Sequence, residues 1–225
     1  MTRALSPYLA EGFYADAIAR GRHRDIIGGR WDETGLIQMR LLIAEGLLPR
    51  HRLLDIGCGP LRTGCRLVPY LNPGHYWGTD LSGDLMLEGW RRELSESARI
   101  RLPRSQLVED GSFAFPGIPD HFEILFCFAL FTHLPLNSLE TGLAAIAARF
   151  RRFEKLLFTV FLAPDDAFAT PFRQPDGVVT HPDRTPFHFR EADVLRLVRA
   201  AGLQATRRDL RLPRGQVLFV ASHPG

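Results

Sequence analysis

The stretch Arg52-Leu-Leu-Asp-Ile-Gly-Cys-Gly-Pro60 runs an aliphatic segment into an acid and two glycines. Leu53, Leu54 and Ile56 give it the near-continuous apolar character of a strand buried on both faces, as in parallel sheets. Gly57 and Gly59 permit backbone angles and a close ligand approach that a side chain would block. N–H groups at the start of a following helix can meet a carboxylate or phosphate. Asp55, at the strand's carboxyl end, repels a pyrophosphate and attracts an ammonium. Taken alone, the Gly-x-Gly also fits a tight strand-to-helix turn with no ligand.

Outward from this turn, short aliphatic runs alternate with amphipathic stretches, the pattern of a mostly parallel sheet covered by helices. Strands are expected at 52–57, 75–80, 104–109, 122–128 and 155–162. Ser82 is placed to cap a helix with Leu87, Trp90 and Leu94 on one face. Leu136, Leu139, Leu143, Ile146 and Phe150 repeat at helical spacing. A helix over 190–201, carrying Val194, Leu197 and Val198, stops at Gly202. Two last strand-like runs, 203–212 and 216–221, are joined only by Pro213-Arg214-Gly215 and must run antiparallel. The expected fold is therefore α/β: a Rossmann-like, doubly wound, seven-stranded sheet, mostly parallel with an antiparallel C-terminal strand. Residues 1–50 read as a helical cap or lid, with segments near 7–20 and 33–45, the latter showing Leu36, Met39 and Ile43; residues 51–225 form one compact unit.

Composition narrows the class. An apolar fraction of 45% with 24% charged residues suits a globular chain with a sizeable core. The net charge of +3 comes almost wholly from arginine, since Lys155 is the one lysine. Arg91-Arg92, Arg151-Arg152 and Arg207-Arg208 fit solvated faces better than a nucleic-acid track, because none extends into a run of five or six like charges. Cys58, Cys65 and Cys127 are too few and too irregularly spaced for a disulfide framework or a four-ligand zinc site, which suits a reducing cytoplasm. The N-terminal residues lack the apolar core of a signal peptide, and no stretch is long enough to span a membrane.

Two further acids fall at strand ends. His75-Tyr-Trp-Gly-Thr-Asp80 places Asp80 21 residues beyond Gly59, where a carboxylate can accept from two ribose hydroxyls; a helix-capping aspartate is the plainer alternative. Gln106-Leu-Val-Glu-Asp110-Gly-Ser ends a short apolar run in Asp110, able to accept from an adenine amino group, with Glu109 as competitor. Phe122 to Pro135 is a buried strand whose end forms a floor for reacting groups.

Together, LLDIGCG, GTDLS, LVEDGSF and FEILFCFALFTHLP resemble the four motifs of class I S-adenosylmethionine-dependent methyltransferases of the bacterial, small-molecule type. The likeness is close over 52–162 and architectural over 163–222. It implies S-adenosylmethionine as cofactor and S-adenosylhomocysteine as product. It further implies that Asp55, Gly57, Cys58 and Gly59 surround the methionine part, with Asp80 at the ribose and Leu81 at the adenine ring. Asp110 and Gly111 would meet the adenine amino edge, and Phe128 would also contact the cofactor. Leu61 stands where the family has its third glycine, and Arg62 either pairs with the methionine carboxylate or lies exposed. Gly28-Gly-Arg-Trp31-Asp-Glu-Thr-Gly35 resembles a lead-in that covers the cofactor, with Trp31 and Gln38 as the contacts, or else simply packs.

Methyl transfer is a displacement at carbon, and the protein's task is alignment, exclusion of water and, for some acceptors, proton removal. His133 is the candidate base or acceptor contact, or it orders the turn after its strand. Trp31, His181, His188 and Arg190 are the substrate candidates, the last three in the 163–190 loop on the sheet's carboxyl edge. No metal is expected, because His181, Asp183 and His188 lack a further clustered ligand. Phe128-Ala-Leu-Phe131 departs from the Asn/Asp-Pro-Pro-aromatic pattern of base-amino methylation, which disfavours that reaction and leaves oxygen, carbon, sulfur or other nitrogen acceptors open; the resemblance implies a small-molecule acceptor. An RNA-modifying methyltransferase and a nicotinamide-dependent oxidoreductase are the alternatives; Asp55 and the antiparallel end oppose the latter. The partner is thus a small molecule with neither membrane nor nucleic acid, and a homodimer is left open.

Overall fold

The computed structural model describes residues 6–225, so residues 1–5 of the expected cap lie outside the described residues. Helices α1 (Phe13–Ala19) and α2 (Trp31–Ala44) precede strand β1 (Leu53–Ile56). There follow α3 (Gly64–Tyr70), β2 (Tyr76–Asp80), α4 (Gly83–Glu93), α5 (Glu96–Arg101), β3 (Leu107–Glu109) and β4 (Ile124–Cys127). Next come α6 (Leu136–Arg149), β5 (Lys155–Leu162), β6 (Phe172–Arg173), β7 (Val179–Thr180) and β8 (His188–Phe189), then α7 (Glu191–Ala200), β9 (Gln204–Arg208) and β10 (Val217–Ser222).

Two compact units divide the chain: residues 10–126, and residues 127–225 with 6–9. In the first, strands run in the order β3-β2-β1-β4 and all three pairings are parallel. Leu53, Leu54, Ile124, Leu125 and Phe126 are almost wholly buried, as strands covered on both faces require. In the second, β10 pairs antiparallel with both β5 and β9. The strand path β3-β2-β1-β4-β5-β10-β9 gives the expected Rossmann-like α/β sheet, mostly parallel with an antiparallel C-terminal strand, and β8 is an eighth strand beside this path. The 163–190 segment, expected as a loop, contains three short strands. In it β6 and β7 form a two-stranded hairpin, and β8 adds in parallel to β5.

Helix capping follows the sequence. The Ser82 hydroxyl accepts from Leu85 N at 3.2 Å at the head of α4, and Gly202 ends α7 at φ 76°. In two helices the buried face differs from the apolar repeat by which the sequence marks the helix. In α2 it is Trp31, Thr34, Gly35, Gln38, Leu41 and Leu42 that are buried, while Leu36 and Ile43 are about 40% exposed. Close packing sets this phase in the middle of the helix: a Cβ at Gly35 would stand 2.9 Å from the Arg62 carbonyl oxygen, so only a glycine fits there. In α4 the buried residues are Leu85, Met86, Glu88 and Gly89 rather than Leu87 and Trp90. Gly89 lets α4 lie against Pro60, whose carbonyl oxygen would be 2.2 Å from an added Cβ.

Candidate cofactor site

The glycine turn is built by hydrogen bonds to the end of β2. Gly57 N and Cys58 N both donate to the Thr79 carbonyl, at 2.7 and 3.0 Å, and Gly59 N donates to Asp80 Oδ2 at 2.8 Å. Asp80 Oδ1 accepts from Ser82 N at 3.2 Å. Each carboxylate oxygen has two acceptor positions, so these bonds fix Asp80 while leaving capacity for hydroxyl donors. Burial raises the Asp80 pKa, opposed by its backbone donors.

Leu61 adopts φ 64°, the left-handed conformation a glycine would take at no cost, and is fully buried. The turn therefore follows a glycine-like path despite the departure from the family pattern. Burying the leucine side chain offsets a backbone cost of about 1–2 kcal/mol.

Asp55 is 3% exposed at the end of β1 and accepts from the Tyr76 hydroxyl at 2.8 Å. Burial pushes its pKa up to about 7, with the Tyr76 hydrogen bond and the Arg62 charge pulling down and Asp80 pushing up. A buried carboxyl held this weakly ionised is suited to a cationic group, which restores the charged form on arrival. Cys58 is buried beside it, its thiol held well above the ordinary pKa by burial.

Arg62 is 9% exposed rather than open to solvent. Its Nε donates to Gln38 Oε1 at 3.2 Å and its Nη1 to the Ile27 carbonyl at 3.1 Å. Trp31 is 8% exposed, edge-on to His23 and under the Arg24 guanidinium at 4.9 Å. His23 and Arg24 are both tied to Glu93, at 2.6 and 2.8 Å. Its surroundings are thus those of a packed residue.

Leu81 is 38% exposed and lies across Gly111, where an added Cβ would come within 2.4 Å of Leu81 Cδ1. The pair presents an apolar surface with no side chain between. Asp110 turns its carboxylate into its own loop. Oδ1 accepts from Ser112 N at 2.9 Å and Oδ2 from Phe115 N at 2.8 Å, and although burial opposes it, these backbone donors lower its pKa. Glu109 Oε2 instead accepts from Gly83 N at 2.9 Å.

In the second unit Phe128 is buried, and Ala129, at φ 59°, donates its N–H to Thr159 Oγ1 at 2.7 Å. His133 Nδ1 lies 3.1 Å from Thr185 Oγ1, and the ring is edge-on to Tyr8. Burial, then the Arg214 charge, lowers its pKa to about 4, so the ring is neutral at physiological pH. His188 is fully buried, with Nδ1 2.9 Å from Thr180 Oγ1 and Nε2 2.9 Å from the Phe168 carbonyl; both nitrogens serve the loop itself. Arg190 stacks on Phe168 at 4.2 Å and faces Asp165 at 3.5 Å. His181 is half-buried, its pKa lowered by burial and then by Arg184. Among the described residues no group of three or more His, Cys, Asp or Glu is placed to hold a metal. Among them, too, no helix is long and apolar enough to cross a membrane.

No protein-family model matches the chain. Solved structures superpose over nearly its full length. An O-methyltransferase family protein from Burkholderia thailandensis does so with a TM-score of 0.67 at 16% identity, covering 98% of this chain and 64% of that one. Magnesium protoporphyrin IX methyltransferase from Synechocystis PCC 6803, with bound SAM, gives 0.58 at 16% identity, with coverage of 96% and 86%. Streptomyces venezuelae DesVI gives 0.58 at 18% identity, with coverage of 96% and 99%. The chain has the fold of the S-adenosylmethionine-dependent methyltransferases.

Within that methyltransferase fold, the structure brings Asp55, Gly57, Cys58, Gly59 and Asp80 together at the ends of β1 and β2, with Leu81 and Gly111 in contact nearby. Tyr76 escaped the sequence reading. Its position 21 residues beyond Asp55 carries no local signal, and the parallel register of β1 on β2 alone sets its hydroxyl against the carboxyl.

Proposed function

We propose that this protein is a cytoplasmic S-adenosylmethionine-dependent methyltransferase that methylates a small-molecule acceptor and leaves S-adenosylhomocysteine. The observation that carries the reading is the buried Asp55 carboxyl beside a glycine turn whose Gly59 N–H is held by Asp80. This pairing suits an amino-acid ammonium and a ribose, whereas a carboxyl at Asp55 opposes the pyrophosphate of a dinucleotide. When bound, the cofactor supplies an activated methyl group on a sulfonium that leaves as a neutral thioether.

The chain's own groups do the positioning. Asp55 would hold the ammonium, with Gly57, Cys58 and Gly59 passing close to the methionine backbone. Asp80 would accept from the ribose hydroxyls, and Leu81 on Gly111 would support the adenine. Asp110 completes the proposed cofactor contacts of residues 10–126. For the acceptor, His133 is the proposed base or contact: its ring is neutral at physiological pH and so carries one unprotonated nitrogen. His181 and Arg190 are the proposed substrate contacts of the 163–190 loop, which His188 holds in shape. Neighbours of the same fold include O-methyltransferases and a glycopeptide N-methyltransferase, which supports transfer to a small molecule and leaves the acceptor atom open.

Calorimetric titration with S-adenosylmethionine, S-adenosylhomocysteine and NAD in parallel tests the reading. Saturable micromolar binding of the two sulfur compounds, without NAD, is expected. Tight NAD binding with no response to either sulfur compound overturns it.

A further inference from the structure

Gln38 is 3% exposed on α2 and directs one oxygen at two donors of the glycine-turn segment: Thr63 Oγ1 at 2.7 Å and Arg62 Nε at 3.2 Å. Arg62 then reaches past Gln38 with Nη1 to the Ile27 carbonyl at 3.1 Å. Ile27 is the residue that covers the turn, since its Cγ2 stands 3.4 Å from the Cβ position of Gly59. Directly after it the chain reverses through three successive left-handed residues, Gly28, Gly29 and Arg30, at φ 91°, 65° and 49°, and enters α2. The reversal has no side-chain cap, as Arg30 makes no capping bond at the helix start. From the turn's side the covering segment is tied by a relay of side chains, Gln38 to Arg62 to the Ile27 carbonyl. Arg66 adds a parallel tie from α3, donating to the Arg62 carbonyl at 2.9 Å and to Asp32 at 2.6 Å. Arg62 also lies close enough to Asp55 for its charge to favour the carboxylate.

We infer that Gln38 and Arg62 are positioning residues of the cofactor site: they clamp Ile27–Arg30 onto the Gly57–Gly59 turn and so shape the wall against which the methionine part is held. This rests on the function proposed above and deepens it. Arg62 acts through Ile27 and Gln38 rather than as the counter-ion of the methionine carboxylate. A buried guanidinium with its Nε and Nη1 committed in two directions is a rigid spacer, and a lysine cannot replace it because a single ammonium does not reproduce the fork.

The test compares the full chain with Gln38→Leu, Gln38→Glu and Arg62→Lys. S-adenosylhomocysteine affinity is read by calorimetry, tryptic cleavage after Arg24 and Arg30 by mass spectrometry, and folding by thermal melting. Gln38→Leu leaves the Arg62 and Thr63 donors without an acceptor and is expected to weaken ligand binding by about tenfold or more, while cleavage after Arg30 accelerates. Gln38→Glu keeps the acceptor and should bind within a few-fold of the parent; should Gln38→Leu fail to fold, Arg62→Lys carries the same expectation of weaker binding and faster cleavage. Parent-like affinity and parent-like cleavage in folded Gln38→Leu and Arg62→Lys overturn the clamp. Weaker binding with unchanged cleavage also overturns it, since Arg62 would then act on the ligand directly. If the parent itself binds no sulfur compound, the proposed function fails and the inference with it, and a change in cleavage then describes only how Ile27–Arg30 is anchored.

Discussion

The Tyr76 hydroxyl donates to Asp55 Oδ2 at 2.8 Å, joining the first residue of β2 to the carboxyl-terminal half of the adjacent parallel strand β1. Burial nevertheless dominates, and the Asp55 carboxyl titrates near 7 in the folded chain against 3.8 for the ordinary group. Between those values the folded protein keeps a proton that the unfolded chain has lost. Stability contributed here is therefore fully present below about pH 4 and is lost as pH rises through about 7. Asp55→Asn removes the ionisation and retains an acceptor for Tyr76. It is expected to melt higher than the parent at pH 8 and close to it at pH 4 in scanning calorimetry, while losing cofactor affinity. A parent that melts as high as the variant at pH 8 shows that the carboxylate is not held at a cost.

Under the proposed function the same carboxyl would couple ligand binding to protons. An arriving ammonium favours the charged form, so at pH 7 binding of S-adenosylhomocysteine should release up to about half a proton. Titration in buffers of differing ionisation enthalpy reads this directly. Heats that do not vary with buffer remove Asp55 as the ammonium partner.

Asp80→Ala should abolish cofactor binding. It also deprives Gly59 N and Ser82 N of their acceptor, at a cost of about 1–3 kcal/mol in denaturant unfolding. Unchanged affinity in the folded variant would remove the ribose assignment.

Two glycines test packing against the proposed ligand support. Gly89→Ala drives a Cβ to 2.2 Å from the rigid Pro60 backbone and is expected to destabilise by about 1–3 kcal/mol. Gly111→Ala meets only the end of the Leu81 side chain, which can swing aside. Its expected signature is a near-parent melting temperature with several-fold weaker S-adenosylhomocysteine binding. Equal loss of stability in both variants contradicts the distinction.

His133 is neutral well below physiological pH, because burial and the Arg214 charge hold its pKa near 4. If it is the base, the turnover rate should show no histidine step between about pH 5.5 and 8. His133→Gln should then slow transfer strongly with cofactor affinity intact. A parent-like turnover in that variant leaves His133 only its bond to Thr185.

The residues that decided the fold carry their information locally. Arg52 to Pro60 declares a doubly buried strand and a glycine turn, and Pro213-Arg214-Gly215 leaves no room for a crossover helix, which forces β9 and β10 antiparallel. Asp55, Gly57, Gly59 and Asp80 were legible for the same reason, since a strand end fixes where its last side chain stands. The phase of α2 was not: the repeat of Leu36, Met39 and Ile43 marks a helix, yet the buried residues are Trp31, Thr34, Gly35, Gln38, Leu41 and Leu42. Hydrophobic period locates a helix, but close backbone approach at Gly35 and a hydrogen-bond partner for Gln38 exist only after α3 has packed beside it.

By itself, then, the sequence determined the order of elements, the parallel sheet with its antiparallel end, and the acids at the strand termini, because each depends on neighbours within a few residues. Tertiary structure alone decided that Tyr76 meets Asp55, that Leu61 keeps a glycine's conformation, and that Arg62 faces inward to Gln38 and Ile27. Those arrangements join residues 21 to 35 positions apart, or repay a strained backbone with burial, and both become favourable only once strand register and helix packing have removed the competing water.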